Sequence, residues 1–72
     1  MNAETIGLMA GAVWAALNET EAVDIKQLKK MAKAKNDREL FAALGWLARE
    51  GKVVFTPGDD PKELMVQLAP GM

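Results

Sequence analysis

The sequence predicts an α+β fold in which three helices precede a C-terminal β-hairpin. Up to Gly51 the apolar residues recur every three or four positions, the period of a helix packed on one side; beyond it they alternate every two, the period of a strand. Within the helical part, only Ala34-Lys35-Asn36 separates two amphipathic segments, too short for anything but a tight turn.

The first helix is expected from Ala3 to Asn18, with Asn2 as N-cap and Glu4 in its first turn. Ile6, Met9, Val13 and Leu17 form its apolar stripe. Gly7, Gly11 and Ala15 recur every four residues on another face, where small side chains let a second backbone come close. That backbone is either the third helix of the same chain or a second copy, whose contact would also use Leu8 or Trp14. Asn18 to Glu21 is a polar connection, and Ala22-Val23 a candidate short strand. Asp24 is placed to cap a second helix from Ile25 to about Ala34, with Ile25, Leu28, Met31 and Ala32 on its buried side. Asn36 followed by Glu39 resembles a capping box at the start of a third helix, Asp37 to Glu50. Gly51 stands where a left-handed residue closes such a helix. Two helices joined by so short a turn are the signature of a helix-turn-helix.

Lys52 to Thr56 and Leu64 to Leu68 read as strands, joined by the turn formers Pro57-Gly58-Asp59-Asp60-Pro61. Ala69 to Met72 is expected to be a frayed tail. Helix, short strand, helix, turn, helix, strand, loop, strand is the order of a winged helix-turn-helix, with residues 1–72 as one domain.

The chain resembles a family of short prokaryotic winged helix-turn-helix proteins of uncharacterised function. The resemblance rests on Ala43-Leu44-Gly45-Trp46-Leu47-Ala48-Arg49-Glu50-Gly51-Lys52-Val53, supported by Gly7 and by Gly11-Ala12-Val13-Trp14, and it spans nearly the whole chain. It implies the fold and a DNA-binding or regulatory role. It implies no substrate or ligand.

Composition narrows the function. A 72-residue chain buries only about 60% of the surface it exposes when unfolded, which makes a homo-oligomer or a protein partner plausible. There is no Cys and no His, so disulfides, thiolate metal sites and imidazole chemistry are excluded. Ser and Tyr are missing too, and Thr5, Thr20, Thr56, the lysines and the carboxylates show no nucleophile-and-base arrangement. No catalytic residue, metal ligand set, cofactor or small-molecule substrate is therefore expected, and the chain is not expected to be an enzyme. Asp59-Asp60 is too sparse for a cation site and reads as turn residues. The apolar run from Ile6 to Leu17 is shorter than the roughly 20 residues that span a bilayer, and no Lys or Arg precedes it as in a secretory signal, so a cytoplasmic protein without membrane contact is expected.

The distribution of charge says more than its total of −1. Residues 25–38 carry six basic residues against Asp37 alone, a net +5, which leaves −6 on the rest. The candidate nucleic-acid contacts are thus Lys26, Lys29, Lys30, Lys33, Lys35, Arg38 and Arg49. In a helix-turn-helix the outer side of the second motif helix enters the major groove, so Arg38 is placed to reach base edges and the lysines to reach phosphates of duplex DNA. A solvated lysine face is the plainer reading of the same pattern. On a helical wheel, Leu40, Phe41, Leu44, Leu47 and Ala48 fall on one side of the third helix, and Arg38, Ala42, Trp46 and Arg49 on the other. Three features count against DNA. Asp37, Glu39 and Glu50 offset the arginines, Asp59, Asp60 and Glu63 make the wing acidic, and Trp46 is bulky for a groove-reading face. A second candidate surface, for protein contact or homodimerisation, comprises Gly7, Gly11, Trp14, Ala42 and Trp46. Trp46 decides much here: facing water it suits a contact hot spot, and leaning on the wing sheet it is core.

Overall fold

The computed structural model describes residues 1–60 and 62–70. Along the chain run α1 (Ala3–Asn18), β1 (Val23–Asp24), α2 (Ile25–Ala32), α3 (Asp37–Arg49), β2 (Val53–Pro57) and β3 (Leu64–Leu68). Three helices and a three-stranded antiparallel sheet of order β1-β3-β2 make up a winged helix-turn-helix. The short β1 pairs with β3 through Val23↔Val66, while β2 and β3 form the wing from Val53↔Leu68 to Pro57↔Leu64. Pro57 lacks a donor N–H and is tolerated because β2 is an edge strand.

Each helix starts where a short polar side chain can take up an orphan backbone N–H. Asn2 accepts from Thr5 N–H at 2.9 Å, Asp24 from Gln27 N–H at 2.7 Å, and Asn36 from Glu39 N–H at 2.9 Å. The complete capping box is on α1, where the Asn2 N–H donates in return to Thr5 Oγ1 at 2.9 Å. At α3 only the Asn36 half forms, and Glu39 Oε2 is buried without a partner instead of reaching back.

Helices α2 and α3 end in the same way, with one difference. In α3 the Lys52 N–H donates to the Leu47 carbonyl at 2.9 Å, and Gly51 between them takes φ 72°. In α2 the Ala34 N–H donates to the Lys29 carbonyl at 3.1 Å, and the left-handed residue is Lys33, φ 58°. This six-residue closure normally takes Gly at the left-handed position, because a Cβ there crowds the backbone. The left-handed turn also ends α2 at Ala32, two residues before the point expected from its apolar spacing. The other bounds shift by a residue: the first strand is Val23–Asp24 and the second begins at Val53.

The core lies where the three helices meet the inner face of the sheet. It comprises Ala10, Val13 and Leu17 of α1, Leu28 and Ala32 of α2, Leu40, Ala43, Leu44 and Leu47 of α3, and Val53 and Val66 of the wing. Among the described residues no polar or charged residue is buried as a whole, though the Oε2 atom of Glu39 is covered. Ala69, expected in the frayed tail, donates its N–H to the Lys52 carbonyl at 2.9 Å and extends the ladder. The Gly71-Met72 part of that expectation lies outside the described residues, as does the Pro61 part of the turn. No helix of the described residues is long and apolar enough to cross a membrane.

Candidate nucleic-acid interface

The direction in which α3 faces is set by the four side chains it buries. Leu40, Ala43, Leu44 and Leu47 point into the core. At about 100° per residue the opposite side is Arg38, Ala42, Gly45 and Arg49. Two arginines one helical span apart thus bracket two of the smallest side chains, leaving a shallow outward face. Arg38, Gly45 and Arg49 are exposed, and Ala42 is half-buried.

Two residues expected to turn inward do not. Phe41 is 50% exposed, and Ala48 is exposed as well. They form the edge of α3 nearest the wing, and Ala43 takes the inward position. The difference is rotational: the buried arc of α3 is centred on Leu40, Ala43, Leu44 and Leu47, which leaves the Phe41 side outward. Phe41 lines an open hollow of about 600 Å³ with Ile25 and Leu64, edged by Lys26 and Lys62.

Trp46 takes the water-facing one of its two expected places, with a contact the sequence did not suggest. It is 43% exposed and leans over α1, not over the wing: a Cβ built on Gly7 would sit 3.8 Å from its ring. Its ring is therefore drawn to the α1 edge of α3 and does not obstruct the arginine face. Gly7 lies beneath this ring, where a Cβ would make ordinary contact. At Gly11 a Cβ would meet nothing within 4 Å. Gly7, Gly11, Trp14 and Trp46 line a groove of about 270 Å³, away from Ala42, so the five residues read together from the sequence divide between two surfaces.

Lys26, Lys29, Lys30 and Lys33 surround one shallow depression of about 450 Å³ along α2. Each has a like charge three or four residues away, an arrangement that destabilises an isolated helix by a few tenths of a kcal/mol per pair. Among the described residues only Lys29 has an acidic partner, Asp37 at 3.0 Å, which ties α2 to the start of α3. Lys29 and Lys30 in the last turn of α2 also suit the helix dipole, as do Asp37 and Glu39 in the first turn of α3. Those two acids, which seem at odds with DNA when read from the sequence, have structural work at the helix start. Lys26, Lys30, Lys33 and Lys35 are exposed and carry no such pairing.

Of the wing acids, Asp60 likewise has a structural role. Asp60 accepts from the Lys62 N–H at 2.9 Å, the Glu63 N–H donates to the Asp60 carbonyl at 2.8 Å, and the Gly58 N–H donates to the Glu63 carbonyl at 2.9 Å. Asp60 closes the turn, and among the described residues no three carboxylates gather as a metal site would require.

Reading the sequence alone missed Gly45. Glycine costs about 0.5–1 kcal/mol relative to alanine inside a helix, and nothing in the fold accounts for it, since a Cβ there would have open space. The signal was its position, seven residues after Arg38 and four before Arg49. No curated protein matches the chain. The family model described as a winged helix-turn-helix domain (DUF2582) matches residues 1–68, a span that takes in every helix and strand, and the chain belongs to that family.

Proposed function

We propose that this chain is a cytoplasmic winged-helix module that binds duplex DNA, with the Arg38–Arg49 face of α3 in the major groove and the α2 lysines on phosphates. The observation that carries the reading is the cluster of Lys26, Lys30 and Lys33 around one depression without acidic partners, beside an α3 face with no bulky side chain between its arginines. Lys33 adds to it. A cation stands at a left-handed position where glycine would be less strained. A polyanion relieves the mutual repulsion of these lysines, and Arg38, in the first turn of α3, has the reach for a base edge.

The test is titration of a fluorescent duplex with the protein at several salt concentrations. If Lys26, Lys30, Lys33 and Lys35 each neutralise one phosphate, the logarithm of affinity falls with the logarithm of salt with a slope of about −3.6. Replacing Lys26, Lys30 and Lys33 together by Glu, with Lys29 kept for its pairing to Asp37, should abolish binding and leave the fold intact. Undetectable or salt-insensitive binding by the wild type would remove the proposal.

A second reading, a protein-contact module without DNA binding, is favoured by one observation: Leu8, Trp14 and Trp46 are all exposed, and the two tryptophans line one groove. Both readings are those of a binding module, the ordinary use of this fold, and neither assigns catalysis.

A further inference from the structure

The outward face of α1 is the least water-suited surface of the chain. From Thr5 to Asn18 the helix has no charged residue, and from Ile6 to Leu17 no polar side chain. One side of it is used, with Ala10, Val13 and Leu17 in the core. The other is not: Glu4, Leu8, Gly11, Ala15 and Asn18 form one exposed stripe, with Leu8 71% exposed and Trp14, 39% exposed, along its border. Helices that are apolar all round are ordinarily buried all round.

We infer that this face pairs with the same face of a second copy, the two α1 helices crossing antiparallel at Gly11. The stripe itself argues for a second copy of the chain. About a two-fold axis at Gly11, the knob Leu8 of each copy lands on the partner copy's Ala15, and Glu4 comes opposite neutral Asn18. A parallel pairing would set Leu8 against Leu8 and leave a hollow between the alanines. An uncharged face also matches another uncharged face, and the rest of this chain offers none of that extent: α2 is lined with lysines and the wing tip with acids. Gly11 leaves room at the axis because nothing of its own fold lies within 4 Å of a Cβ there. Helix axes approach to 8–10 Å only where side chains at the crossing are small. Glu4 and Glu19 sit roughly 10 Å along the helix from Gly11. Crossing helices have diverged by then, so both carboxylates stay in water. Trp14 and Trp46 flank the contact and enlarge the apolar area it covers. Isologous contacts of this kind are the commonest in soluble oligomers. The pairing does not depend on DNA binding, and none of the α2 lysines lines this groove.

The experiment is sedimentation equilibrium without nucleic acid, from low micromolar to near-millimolar protein, on the wild type and on Gly11→Leu and Leu8→Glu variants. The wild type should show a concentration-dependent dimer. Gly11→Leu should be monomeric yet, at a concentration where the wild type is monomeric too, at least as resistant to heat, since a Cβ there meets open space within its own copy; Leu8→Glu should also be monomeric. Orientation is read by disulfide trapping in a chain that has no cysteine of its own. A mixture of Leu8→Cys and Ala15→Cys variants should form the mixed cross-link in preference to either self-link. A wild type that stays monomeric throughout, a Gly11→Leu variant that still dimerises, or preferential Leu8→Cys self-linking would overturn the inference.

Discussion

Replacing Gly45 by alanine should make the protein more stable, and replacing it by leucine should make it a worse DNA binder without unfolding it. Gly45 lies in the interior of α3, four residues from its end at Arg49, and a Cβ built there meets no atom within 4 Å. Alanine therefore gains the usual helix preference over glycine, about 0.5–1 kcal/mol, with no clash to set against it. In a domain of this size each kcal/mol moves Tm by about 4–8 °C, so Gly45→Ala should melt roughly 2–8 °C higher by circular dichroism. Leucine also finds open space in the free protein and should melt no lower than the wild type. In the complex, its side chain would stand between Arg38 and Arg49 and hold α3 away from the groove floor. Duplex affinity measured beside the melting curves should fall at least tenfold, about 1.4 kcal/mol. A lower Tm for Gly45→Ala would mean that glycine serves the fold in a way the geometry does not show. Unchanged affinity for Gly45→Leu would mean that DNA does not approach this face.

Two further outcomes follow from the same geometry. Lys33→Gly removes a left-handed lysine, φ 58°, and should stabilise the protein by up to about 1 kcal/mol in denaturant titration while weakening duplex binding; a loss of stability would show that the lysine side chain holds the turn. Leu40→Ala should cost about 2–5 kcal/mol because Leu40 is fully buried, whereas Phe41→Ala, one residue on, should cost far less at 50% exposure; equal losses would contradict the rotation of α3 described above.

The elements were legible in the sequence because their signals are local. Asn2, Asp24 and Asn36 cap the three helices where their spacing to the apolar stripes places them, and Gly51 closes α3. The end of α2 was less so, because the residue that turns left-handed there is a lysine and nothing in its identity announces the turn. The rotation of α3 was harder still. A wheel gives the relative directions of Leu40, Phe41, Ala43 and Leu47, but tertiary packing decides which arc is centred on the core, and size alone favours Phe41 over Ala43. Trp46 is exposed, one of the two places the sequence left open, but its approach to Gly7 is a contact between helices about forty residues apart in sequence, invisible to any local pattern. The basic residues were all legible as a cluster in sequence. What the structure adds is which of them have company: Lys29 is engaged by Asp37, while Lys26, Lys30 and Lys33, around the same depression, have no acidic partner among the described residues.

The most direct test of the central claim, that the α2 lysines and the arginine side of α3 together form a duplex-binding surface, is a map of amide chemical shifts during titration of the labelled protein with duplex DNA. The account predicts that the largest changes fall on Lys26, Lys30, Lys33, Arg38, Ala42, Gly45 and Arg49, and that they fade as salt is raised. Changes confined to Leu8, Trp14 and Trp46, or none at saturating duplex, would contradict it.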